Sequence, residues 1–539
     1  MKKFAKRFIF FSFLLIIIVS GVHLLIGPFL EHKISEQLSN QLFSTHKIQH
    51  GKIYVDIHTR KIFIESIHID EVLVNQKSFA ELTQQITPLK SKANEDDLLN
   101  QDHQENTVQV AGIYLEGISL YQLLFRKKIV VDELRVTDLF VKLNDKTNLF
   151  ELLDKQDQNQ SAIISIDKLF VRKINVGCVN IEIQNEANHK VLDVDDMSLF
   201  FSNVEVTPDS LSSGLPFTFE GLSLSGGETS YRLSEFEKLN VRNIELSNDV
   251  LKVNGLTIKT IFSRSLLSKH LKFGRDHINL HFPEIVFHNF EYGIQDSTFE
   301  LYSSKIEIIE PQLHFYRDRF IKRNPARKPL YSELIRNLPF NICVDSAQIK
   351  NGIITYEENS EGDVPHGKIN FKKFNANISN LSNTYELGTK ETIIVVDAVF
   401  MNKTRLKGKW SFDVQDEKDN FLLTAQLNSV GANIFDNFAR DHINMSFEGN
   451  LFDIFIRING NDFRSKTDMK LSYKDFKVRH YKRNNKKNWI TTTLANIYAS
   501  NSSDDDGENV EVETERAMNR TFFNFIWISI RDALKEVFT

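Results

Sequence analysis

Residues 341–380 read NICVDSAQIKNGIITYEENSEGDVPHGKINFKKFNANISN, and the pattern in this stretch decides the fold class. Ile342 and Val344 alternate with polar neighbours. Ile354 and Tyr356 resume the alternation after Asn351-Gly352, and Ile369 and Phe371 follow a polar segment running from Glu357 to Gly367. A period of two puts one set of side chains in apolar surroundings and the other in water. Asn-Gly supplies positive φ at low cost, so residues 351–352 predict a turn and residues 357–367 a hairpin tip. The product is a meander with one apolar face and one wet face.

The same pattern extends in both directions. Residues 127–145, KKIVVDELRVTDLFVKLND, place Ile129, Val131, Leu134, Val136, Leu139, Val141 and Leu143 in three short alternating bursts, each offset from the last by an acidic residue. Residues 163–206 repeat the layout: a break at 175–177, then Val179, Ile181 and Ile183, a polar tip and a return strand. Residues 279–318 show it again, which gives a recurring pattern with a period near forty residues. Nearer the amino terminus Ile53, Val55 and Ile57 alternate, then Ile62 and Ile64, then Ile67 and Ile69, with a change of phase at Ser66 that predicts a bend or bulge. Further strands are expected at 392–400, 409–414, 421–427, 443–448 and 453–459, and Met469, Leu471 and Tyr473 close the series. The fold class expected is mainly β, an antiparallel-rich sheet with a few short helices.

Composition agrees. With 41% hydrophobic and 25% charged residues the chain has the makeup of an ordered protein, and 43 Phe against 10 Pro and 22 Gly favours long strands over loops. A net charge of −5 with acid and base mixed along the chain argues against nucleic acid as a partner. Cys178 and Cys343 fit no metal spacing, and two unpaired thiols are the expectation.

Lys2, Lys3, Lys6 and Arg7 precede residues 8–26, which carry no formal charge. At 1.5 Å per residue this run is about 28 Å long, enough to span a hydrocarbon core. Residues 1–28 are therefore expected to be a cytoplasmic basic stub and an uncleaved signal anchor, with Phe8, Phe11, Leu14, Ile17, Leu24 and Ile26 in the membrane and the body on the far side. Leu30, Ile34, Leu38 and Leu42 make a stripe on an amphipathic helix over 29–50. A first β body is expected over 51–318, with a flexible polar insertion at 75–107. A basic, Pro-containing linker follows at 319–340, with a short helix at 331–336, and a second β body at 341–499. An acidic disordered linker is expected at 500–520 and a helix at 521–539. On that helix Phe523, Ile526, Trp527, Ile530 and Leu534 share one face. Two readings stay open for it: an interface-bound helix, or one that packs on its own β body.

Signatures of chemistry are scarce. Gly221-Leu222-Ser223-Leu224-Ser225 approximates a nucleophile elbow, but its last glycine is displaced to Gly226. The run from Ser225 to Glu228 lacks the Lys-Ser/Thr of a phosphate loop and reads as a turn. His46 and His50 stand four apart with no glutamate to complete a zinc motif. Asp195-Asp196 and Glu357-Glu358 read as solvated pairs at strand ends or hairpin tips. No catalytic residue, metal ligand or cofactor is indicated, and a non-enzymatic protein is the expectation.

An inward-facing anchor, a stripe helix and forty-residue strand units resemble the AsmA-like family of bacterial envelope proteins. The likeness is carried by residues 8–26; by HGKIYVDIHTRKIFIESIHID at 50–70; by GISLYQLLFRKKIVVDELRVTDLFVKL at 117–143; by IKNGIITYEE at 349–358; and by GNDFRSKTDMKLSYKDFKV at 460–478. The resemblance implies a single-pass inner-membrane protein with its body in the periplasm. That body is an elongated β trough whose apolar interior carries phospholipid acyl chains towards the outer membrane, as in TamB-like and eukaryotic bridge-like lipid-transfer proteins. The inward members of the alternating pairs would then line the trough: Ile129, Val131, Val141, Ile181, Ile306, Ile354, Phe371 and Val395. A structural or assembly factor that meets outer-membrane or other envelope proteins through exposed sheet edges is the alternative.

Overall fold

The computed structural model describes residue 32 and residues 47–56, 59–70, 106–144, 168–207, 217–359, 367–436, 445–481 and 508–538, leaving out 120, 123–125, 127, 186, 188, 296 and 297. The chain is mainly β and divides into two compact units, residues 1–232 with 240–248 and residues 233–239 with 249–539. The boundary expected at 319–340 thus lies inside the second unit. The anchor at 8–26 and most of the insertion at 75–107 lie outside the described residues. No described helix is long and apolar enough to cross a membrane. Most of the stripe helix at 29–50 also lies outside them, and its last four residues are a strand instead.

The first unit holds β1 (Lys47–His50), β2 (Ile53–Asp56), β3 (Lys61–Ile64), β4 (Ile67–Asp70), β5 (Thr107–Glu116), β6 (Lys128–Asn144), β7 (Lys168–Gln184), β8 (Lys190–Val206) and β9 (Gly221–Arg232). β10 (Glu237–Val241) has residues of both units, and β11 (Asn243–Ser247) belongs to the first. The three bursts of residues 127–145 are one strand, β6. Its buried positions as far as Leu139, namely Ile129, Val131, Leu134, Val136 and Leu139, advance by two and then by three, and Leu143 follows. The extra residue at each step is a bulge, which restores the apolar side chain to the same face. Asp138 in β6, Cys178 in β7, Asp196 in β8 and Gly226 in β9 all have positive φ, and they stand at one level across four neighbouring strands. A Cβ on Gly226 would lie 2.6 Å from the Asp196 carbonyl oxygen, so only glycine fits there. The turn expected at 225–228 and the strand-end place expected for Asp195-Asp196 are both mid-strand bulges. Stacked bulges coil a sheet, and this unit buries its apolar side chains in one continuous core from Ile53 to Phe217.

In the second unit the elements are β12 (Val250–Thr260), α1 (Arg264–His270), β13 (Asp276–His288), β14 (Glu291–Gln295), β15 (Thr298–Ile309), β16 (Gln312–Arg317), α2 (Tyr331–Arg336), β17 (Asn341–Glu358) and β18 (Gly367–Ser382). There follow β19 (Thr392–Phe400), β20 (Thr404–Phe412), β21 (Phe421–Leu427), β22 (Val430–Gly431), β23 (Met445–Gly460), β24 (Arg464–His480), β25 (Glu508–Glu515) and α3 (Phe522–Phe538). β17 runs unbroken through Asn351-Gly352, so the expected turn is a bulge: Asn351 has φ 53°, and the pairing with β18 shifts on either side of Gly352. Asn351 Nδ2 donates to Glu310 Oε1 at 3.1 Å, tying this bulge to the positive-φ residue between β15 and β16. The acidic linker expected at 500–520 is in part β25, whose Val510 and Val512 pair with Met469 and Thr467 of β24.

The period near forty has a physical source. Among the described residues three pairs of strands are parallel, β6 with β7 and both β15 and β16 with β17, and each has a constant offset. Lys128 lies opposite Lys168 and Asn144 opposite Gln184 in the first unit. Glu300 lies opposite Asn341 and Arg317 opposite Glu358 in the second. Parallel neighbours need a crossover connection, and the segment 318–340 with α2 is the second one.

Candidate functional site

Cross-strand partners share a face, so the registers of the second unit can be followed as rows. Val253, Ile285, Ile308, Ile349, Ala376 and Val396 form one, across β12, β13, β15, β17, β18 and β19. Phe287, Ile306, Ala347, Ile378 and Ile394 form the next, and Ile258, Leu280, Leu313, Ile354, Phe371 and Phe400 a third. Apart from the two alanines, every one of these side chains is only half-buried. The opposite face carries the charges, with Val286 buried among them between Lys252 and Glu307. Glu307, between Ile306 and Ile308, takes bonds from Lys350, Lys305 and His288, which hold its carboxyl at about 2. Burial pushes the Glu357 carboxyl up, but Lys368 and His314 outweigh it and bring it to about 2.

Beyond β19 the rows continue under a cover. Ile394 leads to Trp410, Leu423 and Ile458, and there α2 and α3 pack on the sheet. Phe522 stacks on Trp410 with ring centroids 4.4 Å apart, and Phe525 lies edge-on to Phe421. The C-terminal helix therefore packs on its own β body. Its buried face is Phe522, Phe525, Ile526, Ser529, Ala533 and Val537, with Ile530 and Leu534 at the margins and Trp527 half-buried. Phe523, expected on that face, is 64% exposed. The expectation chose the largest side chains. The strand beneath, however, offers Ser465 and Thr467, and a small bed selects Ser529 and Ala533 for close approach.

The cover is pinned by charge. Arg516, fully buried, donates to the Asp462 carboxylate and to the carbonyls of Lys328 and Arg520. Arg327 donates to Glu333 through Nη1 and Nη2, at 2.8 and 2.6 Å, and its Nη2 reaches Asp462 at 2.9 Å. Glu333 and Asp462 together push the Arg327 guanidinium up, and Arg327 in turn holds Glu333 low. Arg336 and Ser332 donate to Asp419 at 3.0 and 2.8 Å. One oxygen from each of Glu333, Asp419 and Asp462 falls within 4.8 Å of the others, a spacing that suits a cation. Three guanidiniums already engage these carboxylates, so the donor set does not fit a metal. Half of the basic linker at 319–340 is thus a folded clasp.

The expected lining residues divide. Ile129, Val131 and Ile181 are 1%, 0% and 5% exposed in the core of the first unit, and Val141 packs against that core. They belong to the continuous buried core of that unit and not to an open face. Ile306, Ile354 and Phe371 do stand on the half-open rows. Val395 does not: it pairs with Asn377 and Lys409 on the wet face and is 45% exposed, while Ile394 and Val396 take the apolar side. Sequence reading missed Leu280, Phe287, Leu313 and Phe400, whose alternation was visible but whose neighbours are set by register. Cys178 and Cys343 are both unpaired. No protein-family model and no curated protein matches the chain.

Proposed function

We propose that the half-open apolar rows of the second unit hold the acyl chains of phospholipid. In this reading the chain is a non-enzymatic, inner-membrane-anchored periplasmic protein of envelope biogenesis, as its resemblance to the AsmA-like family implies. The observation that carries the reading is the contrast along one set of rows. Between β19 and β25 the apolar face is sealed by α2 and α3, whereas between β12 and β18 its Ile, Leu and Phe side chains stay half-exposed. An apolar face must be covered by something, and a row of branched and aromatic side chains without polar atoms suits hydrocarbon. The first unit, with its closed core, takes no acyl chain in this reading. Purification in a mild detergent followed by lipid extraction tests it: phospholipid should accompany the wild type and be lost from a Phe371→Glu variant that keeps its β circular dichroism. Equal lipid on both would overturn it.

A second reading rests on β25, which among the described residues has one hydrogen-bonded neighbour, β24. Its outer edge could receive a strand of an envelope protein. The glutamates at 508, 511, 513 and 515 are of the kind that guard an edge against such pairing, so this reading has the weaker support.

A further inference from the structure

The basic cluster read from residues 319–340 splits in the folded chain. Arg327 and Arg336 turn inward to Glu333, Asp462 and Asp419. Arg319, Lys322 and Arg323 stay in the loop after β16, and the fold brings a second basic segment beside them. Gly274 N donates to Lys322 O at 2.7 Å, and Arg317 Nη1, at the end of β16, donates to Asp276 Oδ1 at 2.9 Å. The loop after α1, with Lys272, therefore runs alongside residues 318–323, and Lys269 stands in the last turn of the helix that leads into it. Lys269, Lys272, Lys322 and Arg323 are exposed and have no carboxylate partner among the described residues. The acid at hand, Asp318, is engaged by Phe320 N at 3.1 Å and Asn359 Nδ2 at 2.8 Å. Amid these cations Phe320 is 55% exposed, with the Arg319 guanidinium 5.1 Å from its ring centre.

We propose that Lys269, Lys272, Phe320, Lys322 and Arg323 form a docking surface for an anionic phospholipid bilayer. Exposed cations gain from the negative potential of such a surface, and an aromatic side chain held among them can enter the headgroup layer. The chain as a whole carries a net charge of −5, so the attraction is local to this patch. Nucleic acid or an acidic protein would also meet cations, but neither explains a large apolar ring presented to water at their centre. The proposal does not depend on the acyl-chain reading, because the patch consists of loop residues and the last turn of α1, all outside the apolar rows.

The test uses the purified full chain with Cys178→Ser and Cys343→Ser, labelled with an environment-sensitive fluorophore at Phe320→Cys and, as a control, at Leu387→Cys. Vesicles of phosphatidylcholine with phosphatidylglycerol should blue-shift the label at 320 and leave that at 387 unchanged. Pure phosphatidylcholine should shift neither. Lys322→Glu with Arg323→Glu should weaken the response by about tenfold or more, and salt near 1 M, where the Debye length is about 3 Å, should abolish it. A shift with neutral vesicles, no shift with anionic ones, or capture of nucleic acid or an acidic protein in place of vesicles would overturn the proposal. The same charge-reversed variant should keep its co-purified phospholipid, so failure here is distinct from failure of the acyl-chain reading.

Discussion

Ser465 Oγ and Ser529 Oγ lie 2.8 Å apart and fully buried, one on β24 and the other on the helix that covers it. The contact fixes how closely α3 approaches the sheet, since Ser529 Oγ also donates to Phe525 O at 3.0 Å within the helix. Nothing larger fits between them. Ser529→Leu should therefore destabilise the second unit by about 1–3 kcal/mol, whereas Ser529→Ala should cost less, and Phe523→Ser almost nothing. Urea midpoints of the three variants check the order. Equal losses at 523 and 529 would contradict the assignment of the buried face.

Arg516 is the clasp's most exacting residue. Removing it leaves Asp462 buried with one fewer cation, and breaking a buried pair in this way costs about 3–5 kcal/mol. Arg516→Ala should loosen α3 locally before it unfolds the strands. Hydrogen exchange should then rise first across residues 522–538. A loss of protection spread evenly through the second unit would contradict this order.

Asn351 separates a bulge from a turn. At φ 53° a β-branched residue is strained, so Asn351→Val should cost about 1–2 kcal/mol, and Asn351→Gly should be neutral or mildly favourable. Deleting the residue should be far worse, because one half of β17 would then present its apolar side chains to water. Thermal melts of the three variants give the comparison.

Glu307 makes a pH-dependent contribution. Its carboxyl sits at about 2 in the folded chain against an ordinary 4.5, held there chiefly by Lys350. The folded value is depressed, so the stabilisation is complete above about 4.5 and fades as pH falls through about 2. The difference in urea midpoint between the wild type and Lys350→Gln should be present at pH 6 and shrink steadily across that window. A difference that persists unchanged below it would assign the effect to packing.

Much of the fold was legible because alternation is a local signal. The strands Thr392–Phe400 and Phe421–Leu427 and the helix Tyr331–Arg336 fall where the pattern put them. The phase changes were legible too, but their meaning was not. An inserted residue at Asp138 or Asn351 looks like the end of a strand in one dimension and is a bulge only when the partner bulges beside it. Which apolar face is open was hidden for a related reason. Val131 and Ile354 sit in the same kind of alternation, yet one is sealed in a core and the other half-exposed, because coiling and helix cover are long-range. Val395 sits within the run Ile393 to Val396, where every residue is apolar and phase cannot be read at all.

The central claim concerns what touches Ile354. A photo-reactive amino acid placed at Ile354, and in a separate variant at its neighbour Thr355 on the wet face, should be irradiated in membranes before purification. The account predicts a phospholipid adduct at 354 and none at 355, detectable by mass spectrometry of the intact chain. Protein adducts alone at 354, or equal lipid adducts at both positions, would contradict it.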